Sequence, residues 1–359
     1  MKFNIKLLNY KRLYIHFCFL ALINIFFSTD NLYAKTFVVN DIEISTPFVM
    51  NFDKNEIIDE GFEKAFDQLI KSMVKTNDQE KLRATSLSMI KGMIEMFSIK
   101  EEKFINEIYS LSLNVSFNKK KIFDFLESKN IFPSLPISKK VFFIPIVLDE
   151  DKDEIIIFSE SYFFNNWNYS NKKYHLLNYI LPTEDLEDFN LIKAKSNNLE
   201  NYDFKEIINK YNLNDYIIMI VFKNSRNIRI FNKISFNEKI DIKNFNYRNL
   251  KLNNDDEKKQ FIEKFKNIYE NYWKLKNQMN TSVKLSLIVS VDNSLNSNIA
   301  KFEQTIHDLD FLYDFYIYKF NNEKNIYKII FNGTPDNFIK IMNDNNYEID
   351  TQNKIWQVK

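Results

Sequence analysis

Residues 311–331 read FLYDFYIYKFNNEKNIYKIIF. Two apolar, aromatic-rich runs, 311–320 and 326–331, flank the polar stretch NNEKN, and this pattern predicts an antiparallel hairpin. Upstream, Val283–Val291 reads as a strand and Leu295–His307 as a helix. Downstream, Thr334 is placed to cap a helix that Pro335 opens at its first position. Either Tyr347–Ile349 or the final Ile355-Trp356-Gln357-Val358 supplies a last strand. The order β-α-β-β-α-β is the ferredoxin-like split unit. A long polar helix at about 255–280 leads into it, so the C-terminal module is set at 255–359.

Two further modules precede this one. In 35–130, Phe37–Ile44 reads as a strand. Ile58, Phe62, Ala65, Phe66, Leu69, Ile70 and Met73 then recur at helical spacing over 56–75. A second helix is expected at 79–91. Tyr109, Leu111, Leu113, Val115 and Phe117 alternate with small polar residues, as in a strand with one wet face, and 93–105 is its expected partner. A short helix follows at 119–128. The stretch NIFPSLPISKK, 129–139, reads as a linker. The middle module, 131–254, carries the buried strand Val141–Val147 and the continuously apolar Tyr216–Phe222, with Ile228–Phe236 as its hairpin partner. Short helices separate these strands. The chain is therefore expected to combine α/β and α+β modules in a multidomain arrangement.

The first residues form a targeting pattern. Lys2, Lys6, Lys11 and Arg12 precede an apolar stretch at 14–27 and a polar tail ending in Leu32-Tyr33-Ala34. That is the order of a secretory signal, with cleavage expected after Ala34 and a periplasmic product. The alternative is an uncleaved inner-membrane anchor at 14–27. Residues 1–34 hold four of the 49 Lys and Arg, one of the 48 Asp and Glu, and the single cysteine. The exported chain then has a net charge of −2 and no thiol. It offers no electrostatic case for nucleic acid or an anionic membrane, no disulfide and no thiolate ligand. Only three glycines occur, Gly61, Gly92 and Gly333, so no glycine-rich phosphate loop exists and no nucleotide cofactor is expected.

The densest chemistry is YILPTEDLEDFNLI at 179–192, where Glu184, Asp185, Glu187 and Asp188 follow an apolar run and Pro182. One reading places Glu184, Glu187 and Asp188 on a helical face that binds a hard cation, or uses the Asp185/Glu187/Asp188 group in cation-dependent hydrolysis. The other has Thr183 capping a helix and the acids favouring the positive end of its dipole. His175 is read as an exposed strand end, and His307 as a cap at a helix C-terminus. Neither has another histidine at metal-binding spacing. No Gly-x-Ser-x-Gly elbow or His-Glu-x-x-His helix is present.

Pro182-Thr183-Glu184-Asp185-Leu186-Glu187-Asp188 resembles the Pro-x-x-Asp-Leu-Glu-Asp signature of the domain of unknown function 2066 family of proteobacterial envelope proteins. Lys210-Tyr211 followed by the apolar run from Asp215 to Val221, the helix at 57–75, the strand at 109–117 and Trp356 match that family in order. The resemblance implies a signal peptide and a periplasmic or outer-membrane-associated location, and it implies no enzyme activity. It points to a non-enzymatic scaffold or accessory factor with envelope proteins as partners and no small-molecule substrate.

Overall fold

The computed structural model describes residues 36–49, 52–248, 252, 254–279, 281, 283–293 and 296–358. The expected signal segment, its cleavage site at Ala34 and the alternative anchor at 14–27 lie outside these residues. Among the described residues no helix is long and apolar enough to cross a membrane.

The N-terminal sheet has the order β1-β3-β2, built from β1 (Thr36–Pro47), β2 (Ile94–Ile105) and β3 (Ile108–Asn118). Its two-residue turn, Asn106-Glu107, has φ of 51° and 60°. Positive φ at both central residues is what a type I′ hairpin requires. Asn supplies the left-handed backbone that glycine usually provides, and Asn237-Glu238 repeats the device with φ of 51° and 64°.

Helix α1 (Lys54–Met73) starts at Asp53, whose carboxylate accepts the N–H of Asn55 at 2.8 Å. It lays Phe62, Ala65, Phe66, Leu69 and Met73 on the buried face of β3. Gly61 marks the closest approach: a Cβ there would stand 2.4 Å from Leu113 Cδ1 and 3.0 Å from Ile44 Cδ1. Gly61→Val is therefore expected to lower stability by about 2–3 kcal/mol through overpacking, read from urea unfolding, although glycine is the poorer helix former.

The helix expected at 79–91 is broken. A short helix at Thr76–Gln79 and a 3₁₀ turn at Glu80–Leu82 precede α2 (Leu87–Met93). The Thr85 hydroxyl bonds the Leu82 carbonyl at 2.7 Å, and Ser86 restarts the helix as its N-cap. Such hydroxyls compete with helix continuation. Helix α3 (Lys119–Ser128) closes this core with Ile122, Phe123 and Leu126.

The middle sheet runs β5-β4-β7-β8-β9, with β6 also paired to β4. Its strands are β4 (Lys139–Asp149), β5 (Glu154–Ile156), β6 (Leu177–Ile180), β7 (Tyr216–Lys223), β8 (Asn227–Phe236) and β9 (Lys239–Arg248). β4 is parallel to β6 and β7; β7, β8 and β9 form an antiparallel meander. β4 and β7 are apolar throughout because both faces are covered. Phe142, Ile144, Ile218 and Ile220 point to one side, against α4 (Leu186–Ala194) and α5 (Lys205–Asn209). Val141, Phe143, Ile217 and Met219 point to the other.

That second side is covered by α6 (Asp255–Lys276), through Phe261, Ile262, Phe265, Tyr269 and Trp273. The helix expected to lead the C-terminal module thus completes the middle core instead. Its apolar stripe finds the larger uncovered sheet there. Sequence reading also passed over β9, where Ile240, Ile242, Phe245 and Tyr247 lie among charged and amide residues.

The C-terminal sheet has the order β11-β12-β10-β14-β13. It contains β10 (Leu285–Asp292), β11 (Leu312–Phe320), β12 (Lys324–Phe331), β13 (Ile349–Asp350) and β14 (Trp356–Val358), with helices α7 (Asn296–Asp308) and α8 (Pro335–Asp344). Thr334 caps α8 and Pro335 opens it, as expected. β10, β11 and β12 pair antiparallel in the ferredoxin-like order. Both suggested final strands exist. β13 has the direction of the fourth ferredoxin-like strand but sits one place out. β14 turns back to fill the slot beside β10 and runs parallel to it.

The three sheets and their cores lie within one unit, Phe37–Lys359. Lys120 pairs with Asp314 at 2.9 Å, Tyr313 Oη donates to Asp124 at 2.7 Å, and Trp273 Nε1 donates to the Ile137 carbonyl at 2.8 Å.

Candidate functional site

The acidic motif follows β6. Asp185, not Thr183, caps α4, and its Oδ1 accepts the Glu187 N–H at 2.8 Å. Thr183 lies two residues too early. Its N–H donates to Tyr211 Oη at 2.6 Å, and its hydroxyl is 3.1 Å from the same oxygen. Glu184 therefore precedes the helix, and the three-acid helical face read from the spacing does not form. Glu184 and Glu187 are exposed, whereas Asp188 is 1% exposed. Lys210 Nζ reaches both remaining acids, at 2.7 Å from Asp188 Oδ1 and 3.1 Å from Asp185 Oδ2.

Lys210 stands where a cation shared by Asp185 and Asp188 would sit. Its hydrogen bond, with that of the Glu187 N–H, holds the Asp185 carboxyl below the usual aspartate range. The same carboxylates raise the Lys210 ammonium above the usual lysine value. Among the described residues no group of three or more His, Cys, Asp or Glu is arranged to hold a metal ion. Calorimetric titration with Ca²⁺, Mg²⁺ or Mn²⁺ is expected to give no heat. Lys210→Met leaves the Asp188 charge buried and uncompensated, so it should lower Tm clearly more than Lys195→Met at the exposed C-cap of α4. Lys210 and Tyr211, which follow the motif in the sequence resemblance, thus clamp it in space.

A second cluster escaped sequence reading. Lys266, Glu270 and Lys274 lie one turn apart on the buried side of α6. The Glu270 carboxylate accepts the N–H groups of Leu176 and Leu177 at 2.9–3.0 Å, tying the start of β6 to the helix. Lys266 is 0% exposed; it donates to Asn171 Oδ1, and its Nζ lies 5.3 Å from the Tyr179 ring centroid and 5.7 Å from that of Trp167. Lys274 donates to the carbonyls of Lys71 and Val74, at the end of α1, where a cation is favoured by the helix dipole. His175, read as an exposed strand end, is partly buried beside them, and its Nδ1 accepts the Lys172 N–H at 3.2 Å. The signal available in the sequence was the four-residue spacing of the three charges flanking an aromatic stripe.

Burial sets the electrostatics here. It lowers Lys266 and Lys274 to about 8, with Glu270 opposing the shift in both. It also raises the Glu270 carboxyl. His175 falls to about 4, through burial and then the positive charges of Lys266, Lys274 and Lys172. A lysine near 8 is a recurrent general base or nucleophile. Lys266 is enclosed by amide and aromatic partners, and Lys274 donates to two backbone carbonyls. A cavity of 180 Å³ lies alongside, lined by Lys71, Thr76, Tyr174, His175, Glu270 and Lys274 among others. A groove of 420 Å³ between α1 and residues 76–90 contains Lys71 paired to Asp67 and Arg83 paired to Glu80.

The lysines give a pH dependence of definite sign. Below about pH 8 both are charged in folded and unfolded chains, so the cost of burying them is fully present. Between about 8 and 10.5 the folded state releases protons that the unfolded state keeps, so stability rises with pH. Solvent screening trims the full shift, and the expected gain is about 1–2 kcal/mol between roughly pH 7.5 and 9.5. Tyr109 and Tyr272, both raised to about 12 chiefly by burial, reverse the trend above pH 10. Urea midpoints across this range check the sign, and Lys266→Met should remove about half of the rise.

No protein-family model matches the chain, and no curated protein matches it.

Proposed function

We propose that the protein is an exported, non-enzymatic component of the cell envelope that holds a partner protein through the free edge of its C-terminal sheet. The observation that carries this reading is the distal half of β11. Tyr316, Ile317, Tyr318 and Phe320 are all exposed, and Phe320 reaches 75%. Aromatic side chains are enriched at protein interfaces, and an edge strand offers unpaired backbone groups for strand addition. The proximal half of β11 is anchored by Tyr313 to Asp124 and by Asp314 to Lys120, so the exposed half projects from a fixed base.

Export and periplasmic residence are supported by the basic, apolar and polar order of 1–34, and by the resemblance to the envelope family. The charged clusters support the non-enzymatic part: Lys210 fills the space between Asp185 and Asp188, and Glu270, Lys266 and Lys274 spend their hydrogen bonds on the protein itself. The test places a benzophenone amino acid at Tyr318 in intact cells and identifies adducts by mass spectrometry. A specific envelope-protein adduct is expected. A protein that forms no adduct and turns over a substrate would overturn the reading.

A further inference from the structure

The most exposed strand of the N-terminal sheet is β2, a twelve-residue edge strand exposed at every position after Ile94. Its pairing with β3 shifts register between Ile99 and Glu101, which leaves Lys100 as a bulge. On one side of the bulge, Phe97 and Ile99 face the same way as the buried residues of β3, opposite Val115 and Leu113. On the other side, Glu102 and Phe104 do so, opposite Leu111 and Tyr109. Met96, Ser98, Glu101, Lys103 and Ile105 occupy the wet face. The bulge therefore makes the face pattern symmetrical about the Lys100–Glu101 peptide.

We propose that β2 pairs antiparallel with β2 of a second copy about a two-fold axis at Lys100–Glu101, joining two three-stranded sheets into one of six. An antiparallel two-fold pair keeps each residue on its own face, so only same-face residues can stand opposite each other. In this register Phe97 meets Phe104 and Met96 meets Ile105, and Lys100 and Glu101, which pair with Asp41 and Lys103 within the chain, meet across the axis, each twice. Backbone alternation, counted from the two-residue turn at Asn106-Glu107, turns the N–H and C=O groups of Phe97, Ile99, Glu102 and Phe104, unpaired among the described residues, outward, where they meet one another. A register that avoids the bulge and centres on Lys103 sets Lys103 against Lys103, so charge favours the bulge-centred pairing. The sequence Lys100-Glu101-Glu102-Lys103 blunts the edge against strands of other composition. Across the proposed axis its first two residues complement each other, while Glu102 stands opposite Ile99 and Lys103 opposite Ser98.

This pairing needs no partner protein, so it stands or falls separately from the reading of β11. The test is sedimentation equilibrium of the purified chain, with folding of each variant checked by circular dichroism. Met96→Lys and Ile105→Glu sit on the wet face, away from the core. The wild type should show a concentration-dependent dimer. Each single variant should weaken it about tenfold or more, since every substitution acts twice across the axis. The double variant M96K/I105E sets lysine opposite glutamate and should restore dimerisation to within about threefold of wild type. A wild type that stays monomeric, single variants that leave the dimer unchanged, or a double variant no better than the singles would each overturn the proposal.

Discussion

Glu270→Ala should cost the protein about 3–5 kcal/mol of stability, measured as a fall in the urea midpoint. The carboxylate is almost wholly buried and does two things at once. It accepts two backbone N–H groups, of Leu176 and Leu177, where β6 begins. It also supplies the negative charge that opposes the lowering of Lys266 and Lys274. Removing it leaves two buried donors unmade and two buried ammonium groups uncompensated, and each is expensive in a low-dielectric interior. Glu270→Gln keeps one oxygen placed to accept both N–H groups, as Oε1 does here, and loses the charge, so it should cost about half as much. The alanine variant should also steepen the rise in stability above pH 8, because both lysines then sit lower still. A variant that unfolds like wild type at both neutral and alkaline pH would show that α6 is not pinned to β6 by this carboxylate.

Trp167→Ala is the second large effect, again about 3–5 kcal/mol. Trp167 is fully buried, with its ring stacked on Phe143 at 4.1 Å and edge-on to Tyr179 at 5.5 Å. Tyr269 of α6 lies at 6.0 Å, and the Lys266 ammonium sits over the same ring. The indole thus joins β4, β6 and α6. Its loss opens a cavity in the largest aromatic cluster of the middle core and removes a face that stabilises a buried cation. Trp167→Phe should recover more than half of the loss, because the stacking on Phe143 survives. Thermal unfolding of the two variants side by side checks the order.

The fold was legible where one physical signal dominated. Clean two-residue alternation located β3, and helical spacing of seven apolar residues located α1. The Thr334-Pro335 pair located the start of α8. The hairpin at 311–331 anchored the ferredoxin-like order, although that order ends in an extra strand because β14 doubles back beside β10. Legibility failed where a helix or strand depends on a distant partner. α6 is polar on average, and nothing local says that its aromatic stripe belongs to the middle sheet. β9 carries few apolar residues because it is an edge. The cap at Asp185 was misplaced to Thr183 because either side chain can cap, and only Tyr211, far along the chain, takes Thr183 away. The acids of the motif were visible in sequence, but the pairing of Asp185 and Asp188 with Lys210 is a tertiary fact. The Lys266–Glu270–Lys274 cluster was hidden for the same reason. Charges at four-residue spacing normally mark a wet helix face, and burial alone distinguishes this one.

The central claim is that the protein acts through its exposed strand edge and not through its acidic motif. The most direct measurement compares two benzophenone placements in intact cells: position 318, on the free half of β11, and position 186, where Leu186 is exposed beside the four acids. A specific envelope-protein adduct from 318 and none from 186 is the predicted result. A specific adduct from 186, with none from 318, would contradict it.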